Sequence, residues 1–191
     1  KPIVLTYHCD LRLPKGLIHK LANWVSNMAN EVTARLSDLI ITNTRDYAQN
    51  SPFLRRFLHK VVAIYPPIEV QQINEAELAD FQRKHNVRSE DNIIGMVARL
   101  ATEKGVEHLV QALSIVMDRF PTARVLFVGA FENVVGEVQY ARRIMPMIET
   151  LGNHWSFLGT VSESEKAALF HTCQVLALPS LNRTESYGMA L

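Results

Sequence analysis

The chain has 191 residues, 48% of them hydrophobic and 20% charged, with a formal net charge of +1. That is the composition of an ordinary globular protein, and it excludes a disordered chain, a collagen-like repeat and a disulfide scaffold. No apolar run reaches the roughly 18 residues that span a bilayer. The opening residues show no signal-peptide pattern. Cys9 and Cys173 are too few for a disulfide framework or a zinc site, and they point to a reducing, cytoplasmic compartment.

The charge is unevenly spread. Residues 1–68 carry nine Lys and Arg against four Asp and Glu, whereas residues 69–191 carry eleven against fifteen. A basic half joined to an acidic half reads either as two units with different partners or as drift between two surfaces. An anionic membrane surface or a phosphorylated acceptor fits the basic half. A nucleic acid does not, because no basic patch with interleaved aromatics is present.

In chain order, Ile3-Val4-Leu5-Thr6-Tyr7 has the β-branched character of a buried parallel strand. Leu17, Leu21, Trp24, Val25, Met28, Val32 and Leu36 then mark a helix of about five turns with one stripe expected to be buried. Strands follow at 39–41 and 61–64, the second ended by Pro66-Pro67, which forces extended backbone and marks the boundary between the two units. Between them, Pro52 to Leu58 is short, basic and amphipathic. It reads either as a peripheral membrane contact at the inner face or as a packed helix with a solvated basic edge, the second being the stronger reading. Beyond the prolines, a polar helix is expected over 76–85. The order is then strand 93–98, helix 106–119, strand 125–129, helix 138–151, strand 155–158, helix 163–171 and strand 175–178. Ser162 with Glu165 predicts a capping box at the start of the last helix. Strand–helix alternation at this spacing predicts an α/β protein with parallel sheets, built as two Rossmann-like units over 1–68 and 69–191.

Sheets of this kind bind ligands outside the carboxyl ends of their strands. Arg99 follows the strand 93–98, and Lys104 and Gly105 open the next helix, so two cations and a helix N-terminus converge where a phosphate or diphosphate would sit. Spacing alone favours the plainer reading, an exposed Arg and Lys on a loop. Another strand end leads into Leu178-Pro179-Ser180-Leu181-Asn182-Arg183-Thr184-Glu185-Ser186-Tyr187-Gly188. A carboxylate there could accept from sugar hydroxyls, and Gly188 would let backbone approach a ligand.

Val97-Ala98-Arg99-Leu100 with Glu103-Lys104-Gly105, and later Glu185-Ser186-Tyr187-Gly188, together resemble glycosyltransferase family 4, the retaining two-unit transferases of GT-B fold. Thr6-Tyr7-His8-Cys9-Asp10 resembles that family's strand-end histidine segment, so the likeness runs through nearly the whole chain. It implies that 1–68 is the later part of an acceptor-side unit and 69–191 a donor-side unit. Arg99 and Lys104 would grip the diphosphate of a nucleotide-sugar, joined by the backbone at Gly188 and Met189. Val161, after Phe157-Leu158-Gly159, would lie in the nucleobase loop. Glu185 would contact the transferred sugar, and His8 would line the cleft beside it. No cofactor or metal is implied beyond the donor itself; the acceptor would be a sugar, lipid or other glycan.

Departures from the family pattern are specific. Ala98 stands where a glycine is common, and Phe131 takes the second glycine position after Gly129, which predicts a different loop course. A second glutamate, eight positions after Glu185 in the family, would lie past Leu191, and the front of the acceptor-side unit would precede Lys1. The resemblance therefore implies a fragment, inactive alone. An epimerase or phosphorylase of the same architecture and a non-catalytic nucleotide-binding module remain as alternatives. Asn182-Arg183-Thr184 matches a glycosylation acceptor only by chance frequency. The histidines lack metal-ligand spacing, and no motif supports Ser-His-Asp or Cys-His chemistry.

Overall fold

The computed structural model describes residues 1–10, 17–69, 71–180 and 186–188. The chain divides after Ile68 into two compact units, and residues 186–188 group with the first.

In the first unit, β1 (Val4–Thr6), β2 (Leu39–Thr42) and β3 (Val61–Ala63) form a parallel sheet in that order. Helix α1 (Leu17–Leu36) connects β1 to β2, and a short helix α2 (Arg45–Asn50), not anticipated from the sequence, follows β2. Thr44 caps α2 by accepting a hydrogen bond from the Tyr47 N–H at 3.0 Å, the usual role of a threonine at a helix N-terminus. The core is small: Tyr7, Ala34, Ile40, Tyr47, Ala48, Leu54 and Phe57. Pro52–Leu58 forms tight 3-10 turns with Leu54 and Phe57 buried and Arg56 on the rim, paired with Glu31 at 2.7 Å.

The expected burial of the α1 stripe is corrected. Leu21 is 62% exposed, Trp24 60% and Leu36 65%, and Val25, Met28 and Val32 are exposed with them. The face that α1 turns inward carries buried Ala34 and half-buried Asn30 and Glu31. Period identifies a stripe that needs cover; it does not say which neighbour provides it. The other end of α1 is closed from a distance. Lys60 donates to the carbonyl oxygens of Ala34 (3.3 Å), Arg35 (3.0 Å) and Ser37 (2.8 Å), satisfying acceptors that a helix terminus leaves without intrahelical partners.

The second unit opens with α3 (Glu75–Lys84), whose N-terminus is a full capping box of Asn74 and Glu77. β4 (Asn92–Val97), α4 (Val106–Met117), β5 (Ala123–Val128), α5 (Val138–Glu149), β6 (Trp155–Gly159), α6 (Glu163–Thr172) and β7 (Val175–Leu176) follow. The sheet order is β6-β5-β4-β7, all parallel. Ser162 and Glu165 form the predicted capping box of α6. β7 is shorter than expected: Val175 and Leu176 lie in register with Ile94 and Gly95 of β4.

Both faces of this sheet are covered, which explains the nearly unbroken apolar strands. Val125 and Phe127 join Met96, Leu113, Ile144 and Trp155 on one face. Leu126 and Val128 join Phe81, Ile93, Ala168 and Leu169 on the other. At the amino edge, the fully buried Asp91 carboxylate binds Arg124 (2.7 Å) and Arg88 (2.9 Å). Burial alone would raise its pKa, but the Arg88 N–H and the two guanidinium groups hold it below the ordinary 3.8.

Candidate functional site

The carboxyl edge of the second sheet is shaped by backbone. Ala98 N–H donates to the Val128 carbonyl (2.9 Å), Leu100 N–H to the Ala130 carbonyl (2.8 Å) and Gly129 N–H to the Gly159 carbonyl (2.8 Å), so the ends of β4, β5 and β6 are laced together. Gly129 has φ +132°, and a Cβ there would lie 2.0 Å from the Ala98 oxygen. Only glycine permits this approach.

Directly above that edge, the chain runs from Arg99 through a 3-10 turn (Thr102–Lys104) to Gly105, whose left-handed conformation (φ 63°, ψ 32°) starts α4. The turn is pinned by Glu137, whose carboxylate accepts from the Thr102 N–H (3.0 Å) and hydroxyl (2.7 Å). Arg99 is exposed and pairs with Glu103 at 2.6 Å. Lys104 is half-buried. The structure thus brings Arg99, Lys104 and the N-terminus of α4 onto one short connection, and a helix N-terminus beside two cations favours an anion. Glu103 is a residue the sequence reading missed as a participant; an exposed pair of this kind is worth about 0–1 kcal/mol and is readily exchanged for a stronger anion.

Phe131 stacks on Phe157, with centroids 4.4 Å apart and planes 17° from parallel. Asn133 (φ 51°) and Gly136 (φ 81°) bend the following loop around a cavity of about 320 Å³. Val161 lies on the β6–α6 connection at the same edge, its side chain half-buried against the α3–α6 side of the core. A larger groove of about 910 Å³, between Gln82, Arg124 and Trp155, lies at the opposite, amino edge.

In the first unit, His8 is exposed just beyond β1. Its neighbours are fixed by a buried polar cluster. Asp10 Oδ1 accepts from the Tyr7 hydroxyl (2.9 Å) and the Ser51 hydroxyl (2.8 Å), and Asp10 N–H donates to Tyr47 Oη (2.6 Å). Burial, together with the Asp10 carboxylate, raises the Tyr7 pKa far above its ordinary value and pushes Tyr47 up to about 12. Burial and Asp10 also raise the Cys9 thiol, which keeps it protonated and unsuited to nucleophilic attack. Gly188 is buried at φ 72°. Glu185 and Met189 lie outside the described residues. Among the described residues no cluster of His, Cys, Asp and Glu could hold a metal ion, and no helix is long and apolar enough to cross a membrane.

A parallel α/β sheet of this kind places its ligand site outside the carboxyl ends of its strands. The family model for glycosyl transferases group 1 matches residues 79–191, and the chain belongs to that family. No curated protein matches the chain by sequence. Among solved structures, it is similar to HepE of Anabaena in complex with UDP (20% identity, TM-score 0.73, covering 94% of this chain and 47% of that one). It is also similar to sucrose-phosphate synthase of Thermosynechococcus elongatus (20%, 0.68, 98% and 47%) and to a glycosyltransferase of Rickettsia africae (19%, 0.66, 93% and 45%). These neighbours are GT-B glycosyltransferases, and the α/β fold is theirs. The chain spans about half the length of the structures it matches.

Proposed function

We propose that the protein containing this chain is a retaining hexosyltransferase that takes its sugar from a nucleotide diphosphate and passes it to a sugar, lipid or other glycan hydroxyl. The observation that carries the reading is the Arg99–Gly105 connection over the Gly129 approach: two cationic side chains and the N-terminus of α4 meet at one strand end. HepE of Anabaena is described in complex with UDP and with UDP-glucose, which favours a uridine donor here.

In the proposed reaction the bond between the anomeric carbon and the diphosphate oxygen breaks, leaving its electron pair on the diphosphate. The acceptor oxygen bonds to the same face of that carbon, and its proton passes to the departing diphosphate. Arg99, Lys104 and the α4 amides stabilise the charge as it develops, a contribution of about 3–4 kcal/mol per well-placed donor. They supply charge that a divalent cation would otherwise provide, so no metal is required. Val161 lies in the loop assigned to the base, Gly188 and Met189 present amides to the diphosphate, Glu185 binds the sugar hydroxyls, and His8 orients the sugar. A cytoplasmic location fits the two free cysteines.

The test is donor turnover by the full-length protein. Lys104→Ala is expected to reduce transfer about a hundredfold or more, with UDP protection against thermal unfolding weakened in parallel. Near-normal turnover by Lys104→Ala overturns the assignment.

A further inference from the structure

In the first unit, the peptide that follows Glu185 is tied down by residues with no assigned role. Asn43 Nδ2 donates to Ser186 Oγ at 2.7 Å, and the Thr44 hydroxyl donates to the Ser186 carbonyl at 3.3 Å. Tyr65 packs on Tyr187, with ring centroids 5.9 Å apart. Thr44 Oγ1 in turn accepts from the Tyr47 N–H, and Tyr47 Oη accepts from the Asp10 N–H at 2.6 Å. The Thr44 hydroxyl uses one donor and one acceptor position, which is chemically consistent. Joined through the covalent frame of Tyr47, these bonds link Ser186, next to Glu185, to Asp10, two residues after His8.

We propose that Asn43 and Thr44, on the turn between β2 and α2, are positioning residues that fix the Ser186 peptide relative to the strand end bearing His8. The inference rests on the glycosyltransferase reading above. It gives the turn a task beyond capping α2: Thr44 would cap the helix through Tyr47 whether or not Ser186 were present, and Asn43 contributes nothing to that cap. The network is short, part-buried and built on a strand end, which is where a catalytic segment is best held. A displacement of about 1 Å at such a segment costs on the order of a hundredfold in rate.

The experiment uses the full-length protein and compares Asn43→Ala, Ser186→Ala, the double variant and Asn43→Asp. Each alanine variant is expected to lower kcat about tenfold, with KM for the donor within about twofold. The double variant should fall no further than the worse single one, because both remove the same bond. Asn43→Asp should recover most of the activity, since the Ser186 hydroxyl can reverse and donate to a carboxylate. Amide exchange at 186–188 should quicken in Asn43→Ala while β2 and β3 stay protected. Should Asn43→Ala fail to fold, Ser186→Ala breaks the bond from its other side and is judged by the same exchange and kcat.

Unchanged exchange at 186–188 overturns the brace itself. Unchanged kcat, or losses that multiply in the double variant, overturn its catalytic role. Absence of any nucleotide-sugar turnover by the unaltered protein overturns the glycosyltransferase reading and the catalytic role with it, while the exchange result still decides the brace.

Discussion

Gly129 and Ala98 stand so close that a methyl group on the glycine would lie 2.0 Å from the alanine carbonyl oxygen. The obstacle is backbone, which cannot swing aside as a flexible side chain would. Gly129→Ala also requires a non-glycine residue at φ +132°. The substitution is expected to cost about 3 kcal/mol or more from strain and steric overlap, and to displace Arg99 with the end of β4. Chemical denaturation reads the first effect; loss of UDP protection at a temperature where the variant is folded reads the second.

Glu103 holds Arg99 in an ion pair at 2.6 Å. Glu103→Gln removes the competing charge and leaves the turn pinned by Glu137. UDP is expected to bind about two- to fivefold more tightly at low salt, with the gain fading as salt screens the pair. Calorimetric titration at two ionic strengths checks this, and equal affinity of variant and parent at low salt would count against a role for Arg99.

Acid should unfold the second unit in two stages. His85 is held below its ordinary 6.5 by burial and by Lys84, partly offset by Glu165. The unfolded chain therefore binds that proton more readily than the folded one, and stability falls as pH drops through the ordinary range of a histidine. Asp91, held below 3.8, behaves in the same sense at lower pH: its contribution is complete above its unfolded value and is lost as pH falls through the folded one. His85→Gln should flatten the first limb. Asp91→Asn should flatten the second and cost about 3–5 kcal/mol at neutral pH, because Arg124 is left buried without its counter-charge. Denaturation midpoints followed from pH 8 to pH 3 test both.

The exposed stripe of α1 gives a prediction for the chain 1–191 by itself. A contiguous apolar face of this kind drives association. The chain is expected to self-associate at micromolar concentration and to bind a hydrophobic dye. Val25→Glu with Val32→Glu should abolish both while leaving the helical circular dichroism within about a tenth of the parent value. Sedimentation of the two proteins provides the comparison.

Legibility in the sequence followed physical range. Every strand of the second unit announced itself, because both faces of a covered parallel sheet are apolar and the runs are continuous. The Ser162–Glu165 cap was legible because both partners are three residues apart. Arg99 and Lys104 could be placed by the strand-end rule alone, before any family was considered. Helix α2 escaped because six residues carry no period, and its cap Thr44 is followed by no acidic partner at the third position. The outward turn of the α1 stripe escaped for a different reason: amphipathicity is local, and cover is not. The bonds from Asn43 and Thr44 to Ser186 join residues far apart in the chain, and no spacing rule reaches that far.

Lys60 carries a consequence for the order of events during synthesis. The last carbonyls of α1 and its following turn are satisfied by an ammonium group that emerges only after β2, α2 and the 3-10 turns have been made. Until then, the helix end must rely on water for those acceptors. The last turn of α1 therefore acquires these side-chain partners only when residue 60 is in place beside it.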